Sequence, residues 1–204
     1  MAREQAARNE GRAGQEDADS PEQLRAEIGR LRQALARAEA RIAELEAHAD
    51  VDPLVEVLNR RGFERELERS LAYVRRYGGQ AALLFIDLDG FKAVNDAHGH
   101  AAGDAMLKAV AAALAGHVRA SDAVGRLGGD EFGVLMWNIG EPEARAKARE
   151  LEGRIAAVRL LHGDTAPAVG ASAGLVMLEP EATAASAIDA ADRAMYARKR
   201  ERRG

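Results

Sequence analysis

Between Gly125 and Leu135 the chain reads GRLGGDEFGVL, and this stretch limits the fold more than any other. Apolar residues alternate on both sides of Gly128-Gly129-Asp130-Glu131, the pattern of a β-hairpin whose tip carries two carboxylates. A lone hairpin is marginal in water and has to join a larger sheet with a covered face. The candidate neighbour is AALLFIDL, Ala81 to Leu88, an apolar run of strand length closed by Asp89-Gly90. Side by side, the two segments gather Asp87, Asp89, Asp130 and Glu131 at one sheet edge.

The remaining periodicity places helices and strands around this pair. Arg61 to Tyr77 reads as a helix stopped at Gly78-Gly79, and two helices follow around Phe91 to Ala97 and Asp104 to His117. The hairpin arms fall near Ala123 to Leu127 and Phe132 to Trp137. Glu141 to Val158 reads as a helix, Ala168 to Met177 as a strand, and Thr183 to Arg202 as a closing helix. This order predicts an α/β fold of the α+β sandwich kind, a central and mostly antiparallel sheet flanked by helices.

Clustered carboxylates repel one another unless a cation sits among them. Hard divalent ions, magnesium above all, take one or two carboxylates together with phosphate oxygens, which points to phosphoryl transfer on a nucleotide. Gly128 and Gly129 have no side chains to keep a triphosphate off the backbone. Taken alone, Gly-Gly-Asp is equally a common turn former. A formal charge of −4 opposes a general nucleic-acid binder, so acidic ligands must meet local basic sites. The absence of cysteine excludes disulfides, thiolate chemistry and Cys-based zinc sites. With no signal-like apolar run and no span of about 18 apolar residues, the chain is expected to be cytoplasmic and not membrane-inserted.

The N-terminal quarter has a different character. Met1 to Asp19 is polar and aperiodic and reads as a disordered tail (1–19). Ser20-Pro21-Glu22-Gln23 is a helix-start signature. From there Leu24, Ile28, Leu31, Leu35, Ala38, Ile42, Leu45 and Ala49 recur in steps of four and three. With Ile28, Leu35 and Ile42 at a and Leu24, Leu31 and Leu45 at d, residues 20–50 are expected to form a parallel, dimeric coiled coil. Glu27 against Arg32 and Arg41 against Glu46 match opposite charges across such a pair. A single amphipathic helix packed on its own domain is the alternative. Residues 51–204 are then expected to form a second domain, the one that carries the clustered carboxylates.

GGDEF at Gly128 to Phe132 resembles the signature of the GGDEF-domain diguanylate cyclases. DLDGFKAVNDAHGHAAGD (Asp87 to Asp104), RASD (Arg119 to Asp122), SAG (Ser172 to Gly174) and ADRAMYARK (Ala191 to Lys199) are similar to further segments of that family. The resemblance runs from Asp52 to Gly204 and implies a fold like nucleotidyl cyclase and polymerase palm domains. It also implies roles. Asp87, Asp130 and Glu131 would hold magnesium or manganese through their side chains, and Leu88 through its carbonyl oxygen. Asp130 and Glu131 form the catalytic pair, with Glu131 implicated in activating the attacking hydroxyl. Asn95 and Asp104 correspond to the guanine readers, fitting because guanine offers N1–H and N2–H donors that a carboxylate accepts. Read without the family, each is as well explained as a helix cap. Lys92, Lys199 and Arg203 correspond to phosphate contacts, and Gly128 and Gly129 to the bare triphosphate cradle.

On the same resemblance the substrate is GTP, two molecules of which give cyclic di-GMP and two pyrophosphates in a homodimer. Arg119 and Asp122 correspond to a site where the product inhibits, completed by a second arginine for which Arg149 and Arg154 are candidates. A catalytically weak domain serving as a receptor for cyclic di-GMP or GTP is the alternative, and a coiled-coil scaffold with an inert domain a third reading. The chain departs from the family at Val55, Glu56 and Val57, which replace a Thr-Gly-Leu. Glu56 in place of glycine bears directly on the backbone of that turn. Leu127 replaces a common aromatic, and Arg202 a glycine.

Overall fold

The structure is a computed structural model that describes residues 25–26, 28–37, 50–160 and 167–203, with residues 202 and 203 described by backbone alone. The chain divides into two compact units, Met1–Ala47 and His48–Gly204. In the first, residues 28–37 are helical, and Ile28, Leu31 and Leu35 are 48%, 59% and 59% exposed in the single chain. The tail, the Ser20 cap and the seam positions Leu24, Ala38, Ile42, Leu45 and Ala49 lie outside the described residues.

The second unit is built in the order β1 (Leu58–Asn59), α1 (Arg60–Tyr77), β2 (Ala81–Asp89), α2 (Phe91–His98), α3 (His100–Ala115), β3 (Ala123–Arg126), β4 (Glu131–Trp137), α4 (Glu141–Ala157), β5 (Gly170–Met177) and α5 (Ala184–Arg203). The five strands form one sheet in the order β1-β3-β4-β2-β5. Three of its four pairings are antiparallel, and β1 runs parallel to β3. The expected fold class is therefore the observed one. The two-residue strand β1 has too few side chains to show alternation, which is why periodicity did not reveal it.

Helices cover both faces of the sheet, so β2 is apolar on both sides along most of its length. Leu84, Ile86, Phe132 and Val134 pack with residues of α3 and α4, such as Met106, Leu114, Leu151 and Ile155. Leu83, Phe85 and Leu135 pack on the opposite face with Phe63, Leu67 and Leu71 of α1 and Ala191 and Met195 of α5. Local chemistry sets the helix ends. The Asn59 side chain caps α1 by accepting from Gly62 N at 3.0 Å. Gly99, at φ 79°, turns the chain between α2 and α3 in a conformation that L side chains rarely adopt.

The helix expected from Asp104 begins four residues earlier, at His100. Asn95 lies inside α2 and Asp104 in the second turn of α3, so neither residue is a helix cap. Glu56 does take the left-handed conformation that a glycine would fill without strain, at φ 58°.

Gly174 fixes the seating of α5 on β5. A Cβ there would run into the α5 backbone at Ala191 and Met195, which cannot swing aside as a side chain would. Gly174→Ala is therefore expected to cost about 2–3 kcal/mol by overpacking, lowering the midpoint of thermal unfolding by about 5–10 °C. A variant melting within about 1 °C of wild type would show that α5 is not held at this contact.

Candidate active site

Strand register brings the acidic residues together. Asp87 lies directly opposite Glu131 across β2 and β4, and opposite Ser172 across β5. Residues opposite one another share a face, so the Asp87 and Glu131 side chains emerge on the α1/α5 side, while buried Leu88 points into the other layer. Leu88 N donates to the Asp130 carbonyl at 3.1 Å, which places Asp130 at the end of the same pair of strands. The tip itself is Gly128, Gly129 and Asp130, closed by Leu127 N donating to Glu131 O at 2.8 Å.

Two arginines hold that tip. Arg126 donates from Nε to Gly128 O (3.1 Å) and from Nη2 to Gly129 O (2.8 Å), and its Nη1 reaches Asp52 Oδ2 at 3.3 Å. Arg60 donates from Nε to Leu127 O at 2.7 Å, and its Nη2 is 4.0 Å from Glu131 Oε2. The Glu131 carboxylate lies over Gly128, where any Cβ would collide with it. A cleft of about 310 Å3 opens beside Arg60 and Glu131 and is floored by Asp189 and Asp192 of α5.

Charge crowding shows in the carboxyl groups. Burial raises the Asp130 pKa, and the neighbouring Asp87 charge raises it further against the pull of Lys199 and Arg126. Burial also raises Glu131, opposed by Arg60 and reinforced by Asp130, Asp192 and Asp87. Lys199, from the last turns of α5, hydrogen-bonds and ion-pairs with Asp87 and lies 3.2 Å from Asp89 Oδ1. Burial lowers the lysine pKa, but its bonds to the two aspartates outweigh this and raise it. Asp89 is also held by Ser172 Oγ, which donates to Oδ2 at 2.7 Å.

The donor set fits a hard divalent ion: three carboxylates and a main-chain carbonyl, all oxygen, with an ammonium already standing in for a cation on Asp87. Among the described residues no three acidic side chains converge on one point, and Glu131 Oε2 lies 4.0 Å from Arg60 Nη2.

The expected base readers lie on the successive helices α2 and α3. Asn95 of α2 lies against Gly103, whose missing Cβ leaves room for the amide, and Asp104 follows in the chain. Asp104 is exposed and Asn95 half-buried. Lys92 is exposed on the first turn of α2. The Arg203 side chain lies outside the described residues.

RASD closes on itself. Asp122 Oδ2 accepts from Arg119 N at 3.0 Å and Oδ1 from Trp137 N at 3.0 Å. Arg119 itself is exposed. A neighbouring cavity beside Arg119 is lined from α4 by Glu143, Ala146, Lys147 and Glu150; Arg149 and Arg154 do not line it. Arg60, Arg126 and the Asp52 bond were not singled out from the sequence. Arg126 stands two residues before the Gly-Gly pair, but only the structure pairs it with Asp52.

The helix-flanked sheet and its acidic strand ends define a nucleotidyl-cyclase-like domain. Residues 49–204 match the family described as "Diguanylate cyclase, GGDEF domain". The chain belongs to that family. It is 39% identical over 164 residues to the probable diguanylate cyclase DgcE of Escherichia coli, covering 80% of this chain and 15% of that protein. It is 39% identical over 172 residues to the diguanylate cyclase TpbB of Pseudomonas aeruginosa, covering 83% and 39%. The chain thus spans well under half the length of these relatives. The structure of the coiled coil and GGDEF domain of DgcB from Caulobacter crescentus, in complex with c-di-GMP, aligns with a TM-score of 0.74 at 25% identity, covering 87% of this chain and 95% of that one.

Raised carboxyl pKa values mean that the folded chain holds these protons more tightly than the unfolded chain does. Relative stability is then fully present below the ordinary carboxyl range and is lost as the pH rises through the raised values. Asp130→Asn removes one such charge, so at pH 7 and low salt the metal-free variant is expected to melt about 1–3 °C above wild type. The gain should vanish below about pH 4, where the wild-type carboxyl is protonated too. A lower melting point at pH 7 would show that attraction to Lys199 and Arg126 outweighs the repulsion.

Proposed function

We propose that this chain is a diguanylate cyclase that condenses two GTP into cyclic di-GMP with release of two pyrophosphates. The observation that carries the reading is the pairing of Asp87 with Glu131 at the end of the central strands, beside a tip with no side chain at two successive residues. Asp87, Asp130, Glu131 and the Leu88 carbonyl would hold magnesium or manganese. When bound, the metal neutralises phosphate charge and favours the alkoxide form of the attacking hydroxyl.

The chain's own groups supply the rest. Asp104 accepts from guanine N1–H and N2–H, and the Asn95 amide completes the pairing, so adenine is refused by an unmatched acceptor. Gly128 and Gly129 admit the phosphates close to the backbone. Lys199, freed from Asp87 and Asp89, and Lys92 and Arg203 meet their charge. Glu131 draws the proton from the 3′-hydroxyl as it attacks the α-phosphate of the other GTP, and pyrophosphate leaves in line.

Each protomer has one base-reading pair and one carboxylate edge, so the two halves of the reaction meet only when two chains face each other. The heptad seam of residues 20–50 supplies the homodimer as a parallel coil, raising the local concentration of each site near its partner to roughly millimolar. The exposed Ile28, Leu31 and Leu35 are the positions it covers. Among the described residues no helix is long and apolar enough to cross a membrane. GTP as substrate implies a cytoplasmic setting. Product inhibition acts through Arg119.

Glu131→Gln is expected to lower turnover of GTP by at least about 100-fold while circular dichroism stays unchanged. Near-wild-type turnover would reject the mechanism. Asp104→Ala should weaken GTP use without loss of fold, and unchanged GTP affinity would remove Asp104 as a base reader. Replacing Ile28 and Leu35 together by lysine should split the coil and make specific activity rise steeply with protein concentration. Full activity at nanomolar protein, independent of concentration, would assign the coil another role.

A further inference from the structure

Glu152 of α4 is one of two carboxylate residues buried among the described residues, and its two oxygens are tied to different partners. Oε1 accepts from the Ala173 amide at 3.1 Å, and Oε2 lies 3.4 Å from Nη2 of Arg198 on α5. Arg198 closes the ring by donating from Nη1 to the Ala173 carbonyl at 2.7 Å. Ala173 belongs to β5, the last strand in the sheet order, so side chains meet both main-chain groups of a residue on the sheet's free edge. α4 packs in the layer of Leu151 and Ile155, and α5 in that of Ala191 and Met195. The pair therefore reaches round the edge of the sheet and fastens one helix layer to the other. A buried ion pair adds little net stability over well-packed apolar residues, whereas its directional bonds fix where two elements sit.

This clasp stands one residue from the carboxylate edge on both β5 and α5. Ser172, next to Ala173, lies opposite Asp87 and donates to Asp89. Lys199, next to Arg198, pairs with the same two aspartates. Successive residues of a helix project about 100° apart, which lets one turn send Arg198 round the edge and Lys199 across the face. Met195 is the last buried side chain of α5 among the described residues, and Tyr196 and Ala197 are exposed. Apolar packing thus stops four residues short of Lys199. We infer that Arg198 and Glu152 are positioning residues that hold the last turns of α5 on β5, so that the Lys199 ammonium stays within reach of the nucleotide phosphates once it has left Asp87 and Asp89. This rests on the proposed cyclase reading, in which Lys199 meets those phosphates and neither Arg198 nor Glu152 touches substrate.

The test is a double-mutant cycle on the full chain, followed as GTP affinity in the presence of magnesium and as kcat and KM for GTP. Arg198→Met together with Glu152→Gln removes both charges at once, so no unpaired carboxylate is left in the interior, and circular dichroism checks the fold. This variant is expected to bind GTP about tenfold more weakly and to raise KM by a similar factor with kcat within about twofold, the pattern of a lost ground-state contact. Guanosine, which carries no phosphate, should compete equally well with variant and wild type. In a Lys199→Met background the same two substitutions should cost nothing further, because they act through Lys199. Should the paired variant melt below the assay temperature, Arg198→Lys, which keeps a charge beside Glu152 but not the planar fork, carries the same cycle. An equal loss in the Lys199→Met background, weakened guanosine binding or unchanged GTP affinity would overturn the positioning role. A wild type that binds GTP without turnover would defeat the cyclase reading, while the binding cycle would still decide the role of Arg198 and Glu152. A wild type that binds no GTP would overturn both.

Discussion

Asp87 sits opposite Glu131 in a β-ladder, and like charges in that position destabilise a sheet. The rest of the domain is arranged to tolerate this. Seven register pairs between β2 and β4 and eight between β2 and β5 hold the acidic strand inside the sheet, bonded along both edges, where repulsion cannot be relieved by fraying. Below the acidic end the strand is apolar on both faces and covered by helices on both sides, so the cost at one end is offset by burial along the remainder. A mobile loop could not keep the charges together, because it would relax by moving them apart.

Cations complete the arrangement, and each comes from a different part of the chain. Lys199 approaches from the closing helix, Arg60 from the start of α1, and Arg126 from the strand that enters the hairpin. Their targets divide by chemistry. Arg126 and Arg60 bond mainly to main-chain carbonyls at the tip, with planar forks that fix the loop in shape. Lys199 is a compact charge on a flexible stem, paired with carboxylates and able to exchange them for phosphate. Rigid groups hold the frame and the flexible one holds the site that must change partners.

The hairpin, the apolar strand β2 and the long helices were legible in the sequence because each carries a periodicity or a stop signal over at least seven residues. The carboxylate edge followed, since two strand ends with acidic residues can meet only if the strands are neighbours. What was hidden depends on long-range pairing. Strand β1 spans two residues and is defined by its parallel bonding to β3 some 67 positions away. The bonds of Arg126 to Asp52 and of Arg60 to Leu127 join segments 74 and 67 residues apart, and nothing local distinguishes these arginines from solvated ones. Asn95 and Asp104 were singled out as a pair through the family resemblance alone. Local rules read them as caps, whereas glycine at 99 ends one helix and starts the next.

The first turn of the domain governs more than its length suggests. Asp52 accepts from the Leu54 amide at 2.9 Å and the Val55 amide at 3.1 Å, so one carboxylate shapes the turn that carries Glu56 while its other oxygen meets Arg126. Val55 anchors that turn in the core. Arg126 in turn fixes the carbonyls of Gly128 and Gly129. The glycine-rich tip and the left-handed Glu56 are thus two ends of one hydrogen-bonded chain. Loss of Asp52 would free both at once, although it touches neither the carboxylate edge nor the cavity beside Arg119.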